Sequence, residues 1–171
     1  MDDARASEIL EFWEVARVRA GVARTAVVTG YSPAASVPPP AWSFADTPAL
    51  ADQLLELVLD GTKTAASTTL AELEAAGEPV PVVGELSIIL DGDGRPRALL
   101  RTTRVDLVPF DEVDAEHAYA EGEDDRSLAS WRAEHDRYFR RVLEPLGETF
   151  DPQQPVVLER FTLLYPRPSD R

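Results

Sequence analysis

The sequence predicts an α+β fold, a small curved sheet or barrel covered by helices. Three observations carry this. A hairpin signal, "DGDG" at 91–94, joins two apolar-rich runs, "GELSIIL" and "RPRALLRTTRVDLVPF". Long amphipathic patterns with start and stop residues lie on both sides of that hairpin. A last alternating run, "QPVVLERFTLLYP", returns to strand periodicity.

In chain order, "SEILEFWEVARVRAGV" reads as a helix with Ile9, Phe12, Trp13 and Ala16 at helical spacing and Gly21 near its end. "TGYSPAASVPPPAW" reads as a loop whose three consecutive prolines favour polyproline II. "TPALADQLLELVLDG" is the clearest helix: Thr47 fits the N-cap, Pro48 the first turn and Gly61 the stop. Leu50, Leu54, Leu57 and Val58 form its expected buried stripe. "TTLAELEAAG" adds a short helix closed by Gly77. In the second hairpin strand, Leu99, Arg101, Thr103, Val105 and Leu107 share one face. Leu100, Thr102, Arg104 and Asp106 share the other, so neither face is wholly polar. "FDEVDAEHAYAEGE" reads as a helix capped by Asp111 with Phe110 as a staple. "SLASWRAEHDRYFRRVLEPLG" is a long helix with Leu128, Trp131, His135, Tyr138, Phe139 and Val142 on one side. Residues 81–110 and 155–165 are expected to share one closed or nearly closed sheet.

Composition bounds function. The 171 residues suit one core, and 44% hydrophobic with 28% charged residues describes a soluble globular chain. Cysteine is absent, which excludes disulfides and thiolate metal sites. No run approaches a membrane span, and the acidic start "MDDARASE" lacks signal-peptide order, so a cytoplasmic protein is expected. A net charge of −14 disfavours non-specific nucleic-acid binding, though a local groove for a nucleoside or short single strand stays open.

Two polar constellations stand out. The chain holds 17 basic residues, and Lys63 is the one lysine among them. Only lysine offers a compact amine tunable to act as a base or nucleophile, although a single survivor of arginine drift is the plain alternative. Thr62, Thr64 and Ser67 lie close by, enough for a Ser/Thr–Lys pair. The second constellation is "HAYAEGEDD". His117, Glu121, Glu123, Asp124 and Asp125 offer an oxygen-rich site for a divalent cation, or else an acidic stretch favoured before a helix N-terminus. His117 and His135 read as packed or hydrogen-bonded residues rather than ligands, and Trp13, Trp42 and Trp131 as core.

"LELVLDGTKTAAS", "PVVGELSIILDGDGRPRALLRTTRVDLVPFDEV", "HAYAEGEDDRSLASWRAEH" and "VVLERFTLL" together resemble the ASCH-domain family over about residues 8–165. The likeness is to its bacterial branch with an N-terminal helix and an E-G-E-x-D…W-R-x-x-H signature. The resemblance implies a PUA-like small β-barrel with surrounding helices and an N-terminal helical arm. Its layout would be 1–40 arm and Pro-rich linker, 41–166 ASCH domain and 167–171 tail. It also implies a cleft holding Lys63 and work on RNA or modified nucleosides. Some members hydrolyse the acetyl amide of N4-acetylcytidine, and others are associated with ribonuclease activity or RNA binding. Lys63 matches the lysine of the family's G-x-K-x-x-T motif and Glu121 its glutamate, but the threonine position falls on Ala66. Ser67 is then the stand-in nucleophile. Adjacent residues of an extended chain point to opposite sides, so either the loop turns Ser67 inward, or a water attacks, or acyl-enzyme chemistry is absent. An ionised Glu121 would keep Lys63 charged for oxyanion or phosphate stabilisation, whereas a protonated one would donate to a leaving group.

The resulting expectation is catalytic Lys63, Glu121 and Ser67, with Thr64, Arg101, Arg132 and His135 binding substrate. No cofactor is expected, with a divalent metal at Glu121, Glu123, Asp124 and Asp125 as the alternative. The leading reaction is amide hydrolysis of an N-acylated pyrimidine nucleoside. The alternatives are a ribonuclease on single-stranded RNA and a non-catalytic RNA- or nucleotide-binding module. Partners are a small nucleoside or single-stranded RNA and no membrane, with a homodimer left open.

Overall fold

The computed structural model describes residues 3–22 and 37–167. The predicted loop from 29 lies outside the described residues as far as 36, as does the tail from 168. The helices are α1 (Asp3–Arg19), α2 (Pro48–Leu59), α3 (Leu70–Ala76), α4 (Ala115–Glu121) and α5 (Leu128–Leu143). The strands are β1 (Ala41–Trp42), β2 (Ala65–Thr69), β3 (Leu86–Leu90), β4 (Pro96–Pro109) and β5 (Pro155–Tyr165). They form one mixed five-stranded sheet in the order β1–β3–β4–β5–β2, an α+β fold as predicted. The hairpin and the C-terminal strand do share that sheet, but among the described residues it does not close: β1 and β2 end it. β1 is two residues long and follows Pro38, Pro39 and Pro40, which lack the N–H groups a ladder needs.

The chain divides into two compact units. The first comprises 1–60, 86–101 and 162–171. Ile9, Trp13 and Ala16 of α1 pack there on Ile88 and Leu99. In α2 the buried positions are Ala51, Leu54, Leu55 and Val58, an i, i+3, i+4, i+7 set. Of the expected stripe, Leu54 and Val58 are buried, Leu50 is exposed and Leu57 is half-buried, with Ala51 and Leu55 taking the inner positions. In the hairpin Asp91 accepts backbone N–H bonds from Asp93 and Arg95 at 3.1 and 2.9 Å, which closes the DGDG turn.

The second unit comprises 61–85 and 102–161 and holds every residue of the site described below. β2 pairs antiparallel with β5, Ala65 opposite Arg160 and Ser67 opposite Leu158. Thr69 then starts α3 with a reciprocal capping box to Glu72. Phe110–Glu112 form a 3-10 turn, Val113 is extended, and Asp114 rather than Asp111 caps α4, accepting from the His117 N–H at 2.8 Å. The extended Val113 is what breaks the continuous helix expected from Asp111. Ser127 caps α5. Phe110, Trp131, Phe139, Leu143, Phe150 and Val156 fill the core beneath α5. Tyr138, expected on the inner side, is partly exposed and donates its hydroxyl to Glu72 at 2.7 Å.

Candidate functional site

Lys63 lies two residues past Gly61, whose φ of 85° turns the chain sharply. Thr64 then docks on α4, its N–H and hydroxyl both donating to Ala120 O at 2.7 and 3.3 Å. The Thr64 carbonyl accepts from Phe161 N at 3.0 Å, so β-type pairing begins before β2 is reached. α4 ends at Gly122 with φ of 75°, where a Cβ would meet Thr62 O at 2.5 Å and Lys63 N at 2.9 Å. Only glycine allows the end of α4 to lie this close to the lysine backbone. The alternation of β2 puts Ala65, Ser67 and Thr69 on one face, and Ala65 and Thr69 there are fully buried. Ala66 falls on the other face, opposite Glu159.

Glu121, 1% exposed, is the hub. Its Oε1 accepts from Ser67 Oγ at 2.5 Å and from Trp131 Nε1 at 2.7 Å, with His117 Nε2 at 3.2 Å. Its Oε2 faces Lys63 Nζ at 3.4 Å and His135 Nε2 at 3.5 Å. Lys63 also pairs with Glu123 Oε1 at 2.6 Å. Burial opposes the charge on Glu121, but His135, Lys63 and the hydrogen bonds from the histidines outweigh it and hold the carboxyl well below its ordinary range. Burial likewise pulls Lys63 down, and Glu121 and Glu123 together push it above the usual lysine value. The site is therefore a charged pair, with the amine an ammonium and not a base. His135 sits between two acceptors: Nδ1 donates to Trp131 O at 3.0 Å and Nε2 points at Glu121. Burial works against its charge, and Glu121 and then Glu123 raise it above the ordinary histidine value.

An ionised carboxylate only accepts, so Ser67 gives its proton to Glu121 and takes the Nε2–H of His117 at 2.9 Å. That leaves a serine hydroxyl oriented by a carboxylate and an imidazole, with an ammonium on the far carboxylate oxygen. A serine, a base and a cation in this relation can perform acyl transfer. A small open recess lies beside the cluster, lined by Ala118, Glu123, Asp124, Ser130, Trp131, Glu134 and His135.

The family model for the ASCH domain matches residues 40–165. The chain belongs to the ASCH-domain family. Two solved structures share its fold. One is protein EF3133 of Enterococcus faecalis, of family DUF984, with 29% identity, a TM-score of 0.75 and coverage of 94% of this chain and 91% of that one. The other is an ASCH domain from Lactobacillus crispatus, with 28% identity, a TM-score of 0.71 and coverage of 86% and 95%. No curated protein matches the chain.

Within this ASCH domain, Lys63, Ser67, Glu121 and His135 come together, and Thr64 stands beside them as a backbone anchor. Arg132 does not join them. Its guanidinium donates to Asp111 O and Val113 O at 2.9 and 3.4 Å, tying α5 to the turn before α4. Arg101 is an exposed residue of β4 in the other unit, opposite Leu86. The acidic run does not gather as a metal site, and no three His, Asp or Glu side chains among the described residues are placed to hold an ion. Asp125 accepts from Ser127 N and Asp124 from the Ser130 hydroxyl. His117 and Trp131 are buried as expected, and each also bonds the Glu121 hub, while Glu123, expected as helix-dipole charge, pairs with Lys63. The i, i+4 spacings of His117–Glu121 and Trp131–His135 were the available signal.

Proposed function

We propose that this ASCH-domain protein hydrolyses the amide of an N-acylated pyrimidine nucleoside, with Ser67 as nucleophile. The observation that carries the reading is the Ser67 hydroxyl held at 2.5 Å on Glu121 Oε1 while Lys63 faces Oε2 of the same carboxylate. Ser67 Oγ attacks the acyl carbonyl, and its proton passes to Glu121 Oε1, which already accepts it. The Lys63 ammonium offsets charge developing on the carbonyl oxygen. The C–N bond breaks, the held proton goes to the departing nitrogen, and the acyl group stays on Ser67 as an ester. Water, losing a proton to the same carboxylate, then releases the acid. A neutral substrate suits a net charge of −14 and an amine already matched by two carboxylates. RNA work would call for arginines around Lys63, but Arg132 is engaged with backbone carbonyls and Arg137 with Glu134.

The test incubates purified protein with N4-acetylcytidine and, separately, with labelled single-stranded RNA, each with and without EDTA. Cytidine and acetate should appear, and Ser67→Ala should lower the rate by several orders of magnitude. Lys63→Arg should be as damaging as Lys63→Ala, because a guanidinium does not fit the space of a compact ammonium. RNA cleavage without deacylation would replace this reading by the ribonuclease one. Binding of either ligand without turnover would replace it by a binding module.

A further inference from the structure

The turn between α4 and α5 carries backbone strain that its own closure does not require. Asp124 and Arg126 hold left-handed φ angles of 47° and 62°, a conformation that is costly for a residue with a Cβ and open to glycine. The turn closes without the Arg126 side chain: the Arg126 N–H donates to Glu123 O at 2.9 Å, and the Ser127 N–H donates to Asp125 Oδ1 at 2.9 Å. What the arginine adds is reach. Its Nε donates to Tyr119 O, in α4, at 3.0 Å. Its Nη2 donates to Thr62 O, 64 positions back along the chain, at 3.5 Å. The guanidinium carbon lies 3.6 Å from the centre of the Tyr119 ring, whose face fixes the plane of the fork. Thr62 immediately precedes Lys63, and Tyr119 lies two residues before Glu121. Ser127, next to Arg126, caps the helix that carries Trp131 and His135. One side chain thus joins the segments that carry Lys63, Glu121 and the Trp131–His135 pair.

We propose that Arg126 is a positioning residue that clamps the Thr62 carbonyl to the end of α4 and so sets the span between the Lys63 amine and the Glu121 carboxylate. Its consequence for catalysis rests on the deacylation reading; the clamp itself does not. The test compares wild type, Arg126→Gly, Tyr119→Ala, Tyr119→Phe and the exposed control Glu148→Gln. Arg126→Gly removes the fork and leaves a backbone at ease with a φ of 62°. Tyr119→Ala removes the ring and keeps the carbonyl, and Tyr119→Phe keeps both. Amide hydrogen exchange is read by NMR as a ratio of rates, that of the Thr64 N–H, bonded to Ala120 O, over that of the Phe139 N–H, buried within α5. Loss of the charge-assisted bonds should raise this ratio by about tenfold or more in Arg126→Gly, and by less in Tyr119→Ala. Tyr119→Phe and Glu148→Gln should keep the wild-type ratio. A role in general stability alone would speed both amides together and leave the ratio where it was. On N4-acetylcytidine, Arg126→Gly should lower kcat about tenfold with KM within about twofold of wild type, because Lys63 is then misplaced for charge that develops only in the transition state. An unchanged ratio in Arg126→Gly overturns the clamp, and an unchanged ratio in Tyr119→Ala does so if the glycine variant fails to fold. A raised ratio with unchanged kcat overturns the positioning role. A wild type that yields no cytidine refutes the deacylation reading instead, and the exchange ratio still decides the clamp.

Discussion

Replacing Glu121 by Gln keeps the shape of the side chain and removes its charge. Lys63, Ser67, His117, Trp131 and His135 all point donors at that carboxylate. An amide supplies one acceptor oxygen and sets an NH₂ against the remaining donors. Whichever way it flips, a donor faces a donor, and Lys63 loses the Glu121 counter-charge. Breaking one partner of a buried ion pair costs about 3–5 kcal/mol. At about 2–4 °C per kcal/mol for a chain of this length, Tm should fall by roughly 6–20 °C. The assay is urea and thermal unfolding followed by circular dichroism, for Glu121→Gln, Lys63→Met and the double variant. The double variant should be less destabilised than the sum of the singles by more than about 1 kcal/mol, since both charges are then gone. The pH dependence has a fixed sign. Glu121 sits below its ordinary 4.5, so its contribution is fully present above that value and is lost as pH falls through its folded pKa. His135 sits above its ordinary 6.5, so its share is present below that value and is lost as pH rises through its folded pKa. The gap between wild type and Glu121→Gln should therefore be widest between the two ordinary values, 4.5 and 6.5, and should shrink on either side toward the folded ones. A loss within about 1 kcal/mol, or strict additivity in the double variant, would refute the hub argument.

Trp131→Phe keeps a ring stacked between Phe110 and His135 but deletes the N–H that reaches Glu121 at 2.7 Å, and should cost about 1.5–3 kcal/mol in urea unfolding. Gly122→Ala puts a Cβ 2.5 Å from Thr62 O at a φ of 75°, and a loss of about 2–4 kcal/mol should appear as a lower Tm; a neutral result would mean the lysine backbone yields easily. Ala66→Thr restores the family's hydroxyl, but on the face opposite Ser67 and next to Glu159, so deacylation should change less than about twofold. A large gain there would move the nucleophile away from Ser67.

What the sequence made legible was local. The capped helices, the DGDG turn and the C-terminal strand are short-range patterns, and each appears near its expected place. The residues 65–69 were different. "AASTT" has no apolar alternation, and after Gly61 it reads as a solvated helix exit. Its burial comes from β5 and α4, roughly 50 to 95 positions along the chain, which no local pattern encodes. The cap of α4 was misplaced because Asp111 and Asp114 are equivalent on paper and only the extended Val113 separates them. Lys63 and Glu121 stood out through composition and family motif. Trp131 and Glu123 did not, since an aromatic in a helix and an acid before one are each explained by simpler physics.

The one lysine of the chain also makes it a single-cut substrate. A lysine-specific protease has one peptide bond to attack, between Lys63 and Thr64. In the native state the P1 side chain is 2% exposed and the amide on the far side of the bond is bonded to Ala120 O. No extended segment can be offered to a protease cleft without pulling Thr64 off α4 and Lys63 out of its ion pairs. Scission into fragments 1–63 and 64–171 thus clocks the opening of this one site, and where reclosing outruns cleavage, its rate reads the free energy of that opening.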